Sequence, residues 1–137
     1  MRLPTIAAAL VTATAFGAPA VAHGSSVIRY AYVTAGTPRS LPATTIDSSE
    51  PVIYGVLILS RNVAPGTQAR FVFSRLRVRY GVERRIPLAV STPRLAAGDL
   101  ALVVPLPRGA YRTRGGAWLL SVHVGKTHRG CRFRVRR

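Results

Sequence analysis

Trp118-Leu119-Leu120-Ser121-Val122-His123-Val124, then Gly125-Lys126-Thr127-His128-Arg129-Gly130, then Cys131-Arg132-Phe133-Arg134-Val135-Arg136: on this stretch the fold is read. Apolar side chains return at every second position, first in Trp118, Leu120, Val122 and Val124, then in Cys131, Phe133 and Val135. Period two is the signature of a strand with one face buried and the other in water. Leu119, Ser121 and His123 fall on the opposite face of the first strand, and Arg132, Arg134 and Arg136 on that of the second. The polar, glycine-bounded segment Gly125 to Gly130 predicts a hairpin loop between them.

The same period runs outward from there. Leu100, Leu102, Val104 and Leu106 alternate, and Pro107-Arg108-Gly109 predicts a turn. Ile86 to Val90 predicts a short strand, placed at a sheet edge by Pro87, which has no ladder N–H. Between Arg70 and Tyr80 the apolar phase slips by one, from Phe71 and Phe73 to Leu76, Val78 and Tyr80, so a bulge or break is expected near Ser74-Arg75. Val52 to Leu59 is almost continuously apolar and predicts a strand buried on both faces. Pro65-Gly66 marks a turn after it. Val27 to Val33 alternates with Ile28, Tyr30 and Tyr32 on one side, and the Thr/Ser/Pro-rich segment 35–50 reads as a loop of about sixteen residues. Seven or eight short strands separated by turns, with no helix-period segment of useful length, give an all-β chain folded as one antiparallel β-sandwich.

Composition narrows the function. The chain has 137 residues, one domain's worth, with a net charge of +16, 48% hydrophobic residues and four carboxylates. That is too apolar for a disordered basic tail and too poor in carboxylates for paired-acid catalysis. No nucleophile motif, phosphate-cradling glycine loop or H-E-x-x-H stands in it, so no enzymatic activity is expected. The first residues carry a positive start, Met1-Arg2, an Ala-rich apolar run from Leu3 to Val21, and small-x-small triplets ending at Ala20 and Ala22. This is the pattern of a signal peptide, assigned to residues 1–22, with a β-sandwich domain at 23–137. The expectation is an exported protein, secreted or periplasmic, with no transmembrane span in its mature form and a charge of +15 once Arg2 is removed.

Two arginine rows stand out. Arg75, Arg77 and Arg79 share one face of a strand, as do Arg132, Arg134 and Arg136. Like charges at i and i+2 lie about 7 Å apart and repel. Such rows suit a solvated face or an anionic partner: a polymer, an envelope component or a membrane surface. Sequence-specific nucleic-acid reading is not expected, because neither a groove-reading helix nor an exposed aromatic platform is evident. Cys131, in phase with Phe133, predicts a core thiol, and Trp118 and Tyr111 predict core aromatics.

Cleavage after Ala22 would make His23 the new N-terminus, offering an amine and an imidazole as adjacent nitrogen ligands suited to Cu(II), with His123 and His128 as further donors. His23-Gly24, Gly109-Ala110-Tyr111, the strand Trp118 to Val124, His128, Gly130 and the strand Cys131 to Val135 together resemble the CopC-type periplasmic copper-binding proteins. That resemblance implies a small exported sandwich with copper as cofactor, held by His23 and His128. The Asp that the family presents beside its His is replaced here by Gly125-Lys126-Thr127. His23-Gly24 also resembles the start of copper polysaccharide monooxygenases, whose flat aromatic binding face is not expected in this chain. The broader resemblance is to immunoglobulin-like sandwiches in general, many of which end in a similar strand–turn–strand pattern. No cofactor is expected on that broader reading.

Overall fold

The computed structural model describes residues 26–137. The signal-peptide assignment and His23 lie outside the described residues. Eight strands form: β1 (Ile28–Ala35), β2 (Thr45–Asp47), β3 (Val52–Leu59), β4 (Ala69–Arg79), β5 (Val82–Ser91), β6 (Ala101–Pro107), β7 (Gly116–Val124) and β8 (Thr127–Arg136). They make a three-stranded sheet, β1-β3-β6, and a five-stranded sheet, β2-β8-β7-β4-β5. Every strand pair is antiparallel except β2–β8, which is parallel. That pair corrects the reading of 35–50 as one loop: Thr45–Asp47 lies along β8, and Ile46 is buried.

The core lies between the sheets, where the period-two residues meet. Trp118, Leu120, Val122, Phe133 and Val135 are buried on one side, and Ile53, Leu57, Leu59, Val104 and Leu106 on the other. Trp118 donates its indole N–H to the Arg114 carbonyl at 2.9 Å and stacks on Phe133 with centroids 6.1 Å apart. A single helical turn, Arg108–Tyr111, precedes β7, and the buried Tyr111 donates its hydroxyl to the Glu50 carbonyl. At Gly55 the two sheets approach closely. A Cβ built there would stand 2.9 Å from Phe73 Cζ and 3.2 Å from Leu120 Cδ2. Arg129 also ties the sheets, donating to the carbonyls of Ile28 at 2.9 Å and Arg29 at 3.3 Å.

Four strand readings need correction. In β1 the register shifts between Ile28 and Tyr30, so Arg29 is an extra residue. Ile28 points inward, but beyond the bulge Ala31, Val33 and Ala35 take the inner phase, pairing with Leu57, Gly55 and Ile53. Tyr30 and Tyr32 therefore face outward. The apolar run of β3 has its inner face buried and its outer face only partly covered: Val52, Tyr54 and Ile58 are half-exposed, and Val56 alone is buried there. The Gly125 to Gly130 loop is shorter than expected, with Val124 paired to Thr127 across Gly125-Lys126.

The fourth correction concerns β4 and β5. A register shift does fall between Phe73 and Ser74, but the extra residue is Leu88 of β5, and the pairing of β4 with β7 is unbroken from Ala69 to Arg75. The apolar phase changes in β4 because the strand leaves the sandwich. After the Arg75–Trp118 pair, β4 pairs with β5 alone. Leu76 then shares the outward phase of Ser74, which pairs with Leu119, and is buried there. β5 runs as an edge strand from Val82, four residues earlier than the sequence suggested.

Candidate functional site

The segment from Leu76 to Ile86 is a two-stranded ribbon that continues β4 and β5 past the last β4–β7 pair, and Glu83 near its turn reaches back to Arg132 of β8. Arg79 and Val82 close a two-residue loop, Tyr80-Gly81, with φ of +53° and +75°. Both residues in the left-handed region make this a type I′ turn, the hairpin turn whose twist matches the strands. Gly81 adopts that conformation freely. A bulky side chain at Tyr80 does so under strain, where Asn is the usual choice.

The ribbon gathers charge. Arg77 lies directly opposite Arg84, and Arg75 opposite Ile86, so Arg75, Arg77, Arg79 and Arg84 share one face. Arg85 lies on the other face, opposite Leu76. Like charges directly opposite one another in a sheet are destabilising. Arg75 is half-buried and donates to the Gly115 carbonyl at 2.9 Å. Arg77, Arg79, Arg84 and Arg85 are exposed. Three apolar side chains stand among them at the tip: Val78 is 71% exposed, Tyr80 94% and Val82 61%. The Arg79 guanidinium sits 5.9 Å from the Tyr80 ring centroid, in cation–π range.

The second arginine row lies elsewhere. Arg132 and Arg134 face outward from β8, opposite Leu119 and Ala117, while the ribbon row continues the inward phase of Trp118. The two predicted rows therefore lie on opposite faces of the sheet. Arg132 makes a two-pronged pair with Glu83, 2.8 Å on each side, which fastens the ribbon to the body. That hydrogen bond, with the Arg132 charge, holds the Glu83 carboxyl below its usual range. Arg136 approaches Asp47 at 3.8 Å, and hydrogen bonds from Ser49 hold that carboxyl low. These are the two ion pairs among the described residues, so carboxylates engage the β8 row and leave Arg77, Arg79 and Arg84 facing solvent.

His123 and His128 lie directly opposite across β7–β8, with rings stacked at 5.5 Å. Burial, then the charges of His128 and Arg70, push His123 below the usual imidazole value. Among the described residues no group of three or more His, Cys, Asp or Glu stands together as a metal site. Cys131 points toward the core and is half-buried, and burial pushes its thiol up.

Two features escaped the sequence reading. The ribbon was missed because Tyr80-Gly81 does not carry the usual Asn-Gly or Asp-Gly turn signal. The outer face of the three-stranded sheet groups the exposed Tyr30 with the half-buried Tyr32 and Tyr54 around the buried Val56. The Arg29 bulge hid that face by reversing the phase of β1.

An immunoglobulin-like protein from Pseudomonas aeruginosa superposes with a TM-score of 0.58 over 81% of this chain and 95% of that one, at 15% identity. The fold is an immunoglobulin-like β-sandwich. A β-glucosidase from Listeria innocua matches over 77% of this chain but only 16% of its own length, at 12% identity and a TM-score of 0.44. No family model matches the sequence, and no curated protein does. At these identities the likeness concerns architecture alone, so function has to be argued from the site.

Proposed function

We propose that this immunoglobulin-like domain is an exported, non-catalytic binding module that engages an anionic partner through arginine. One observation carries the reading: Arg77 faces Arg84 across the ribbon, with Arg75 and Arg79 on the same face and no carboxylate among them. A free ribbon bears that repulsion, and an anion relieves it. Arginine suits the task because its planar fork binds phosphate, sulfate or carboxylate in two-pronged fashion. The Arg132, Arg134, Arg136 row is a second, weaker anion surface, since Glu83 and Asp47 already engage two of its members. A net charge of +15 on the segment after residue 22 steers polyanions toward either row.

The test is equilibrium binding to heparin. The variant Arg77→Ser/Arg79→Ser/Arg84→Ser should lose affinity by tenfold or more at low salt. Arg132→Ser/Arg134→Ser/Arg136→Ser should lose less. Equal affinity of the ribbon variant and the unaltered protein would remove the ribbon from the account.

A second reading, copper binding through His23 and His128, is favoured by one observation: His128 stacks on His123, so two imidazoles share one corner of the β7–β8 hairpin. Burial, then the charges of His128 and Arg70, lowers the basicity of His123 and so favours its neutral, ligating form. Arg70 beside it works against a cation. N-terminal sequencing of the exported protein and Cu(II) titration test this reading. A start at any residue other than His23, or no Cu(II) uptake, ends it.

A further inference from the structure

We infer that the anionic partner is a lipid bilayer carrying acidic headgroups, and that the tip of the β4–β5 ribbon docks into its interface with Val78, Tyr80 and Val82 entering and Arg77, Arg79, Arg84 and Arg85 collaring the headgroups. The inference rests on the proposed anion-binding role of the ribbon and names its partner.

Charge alone does not select a bilayer over a soluble polyanion; the apolar tip does. A polymer in water gives Val78, Tyr80 and Val82 nothing to leave water for. A membrane interface does. Valine side chains gain by leaving water, and a tyrosine ring with its hydroxyl suits the headgroup boundary. The exposed large apolar side chains of the tip are these three, at 71%, 94% and 61%. They stand at the turn end of the ribbon, open to solvent. Arginine stems can lie along apolar surface while their guanidinium groups stay with the phosphates, and each basic side chain near an anionic leaflet adds attraction.

The backbone fits a shallow position. The type I′ turn pairs Arg79 with Val82, so the tip exposes few unpaired polar groups. A two-stranded ribbon still has open edges, which confines it to the interface rather than the hydrocarbon core. Tyr80 supplies an independent argument. It holds φ of +53°, where asparagine would serve the turn better. A bulky ring kept in a strained conformation and almost fully exposed points to use of the ring itself.

The experiment compares vesicles with heparin, using the purified protein. Vesicles of equal parts phosphatidylcholine and phosphatidylglycerol, vesicles of phosphatidylcholine alone, and soluble heparin are the three probes. Strong partition to the mixed vesicles and weak partition to the neutral ones are expected. The variant Val78→Ser/Tyr80→Ser/Val82→Ser should lose about tenfold or more in partition to the mixed vesicles and keep its heparin affinity. Tyr80→Asn provides a folding control, since it improves the turn. It should still lower vesicle partition. Tyr80→Trp adds an exposed indole at the tip, whose emission should shift to the blue with mixed vesicles and stay put with heparin. Heparin binding without vesicle binding would overturn the lipid assignment and leave the anion-binding role standing. Vesicle binding unchanged in the serine variant, or no blue shift, would overturn tip insertion. Failure of both probes would overturn the underlying role as well.

Discussion

Gly55→Ala is the sharpest probe of the packing between the sheets. Two effects oppose each other. A glycine inside a strand is entropically costly, so alanine there would ordinarily stabilise by about 0.5–1 kcal/mol. The added Cβ, however, would stand 2.9 Å from Phe73 Cζ, 3.2 Å from Leu120 Cδ2 and 3.3 Å from Phe71 Cδ2. Three buried groups cannot all retreat, and overpacking of this kind costs about 1–3 kcal/mol. The clash should win by about 1–2 kcal/mol. For a domain of this size that lowers Tm by roughly 3–10 °C. Urea and thermal unfolding measure it. A double-mutant cycle with Phe73→Leu, which removes the nearest atom, should show a coupling of about 1 kcal/mol or more in the rescuing direction. Gly55→Ala as stable as the parent, or strict additivity in the cycle, would refute the placement of Gly55 against Phe73.

Other substitutions test other parts of the structure. Trp118→Ala should cost about 3–5 kcal/mol in urea unfolding, because a fully buried ring, its stack on Phe133 and its hydrogen bond to Arg114 all go; a loss under about 1 kcal/mol would contradict that burial. Tyr80→Asn should raise stability by about 0.5–1 kcal/mol through turn conformation alone, and a lower Tm would contradict the strain assigned to Tyr80. Acidification should weaken the fold below pH 6.5, the usual imidazole value. His123 is held below it by burial and then by His128 and Arg70, so its unfolded form takes up a proton first. The contribution is complete above pH 6.5 and is lost as pH falls through the folded-state value. His123→Gln should flatten the urea midpoint in that window, and an unchanged slope would contradict the assignment.

The sandwich was legible because both sides of its core follow period two. Trp118 to Val124, Cys131 to Val135 and Leu102 to Leu106 each keep one inward phase, as the alternation required. The misreadings occur where a strand breaks that rule for a reason beyond its own sequence. Arg29 bulges out of β1 and turns Tyr30 and Tyr32 to solvent, yet bulge and no-bulge registers have the same composition. Leu76 and Val78 looked like a continuing core face, but β4 had already left the sandwich, so their phase belongs to the ribbon. Pairing of Thr45–Asp47 with β8 is a long-range contact that three polar-flanked residues cannot announce. The arginine rows were legible as rows. Their separation, and the opposition of Arg77 to Arg84, depend on the turn at Tyr80-Gly81.

The most direct test of the account is the salt dependence of heparin binding, because each arginine that contacts an anion releases counterions. The logarithm of the binding constant against the logarithm of salt concentration should be steep for the unaltered protein. In Arg77→Ser/Arg79→Ser/Arg84→Ser the slope should become shallower by roughly one unit per lost contact, about two to three in all. A slope unchanged in that variant, or lost instead in Arg132→Ser/Arg134→Ser/Arg136→Ser, would contradict the claim that the ribbon is where this domain meets its partner.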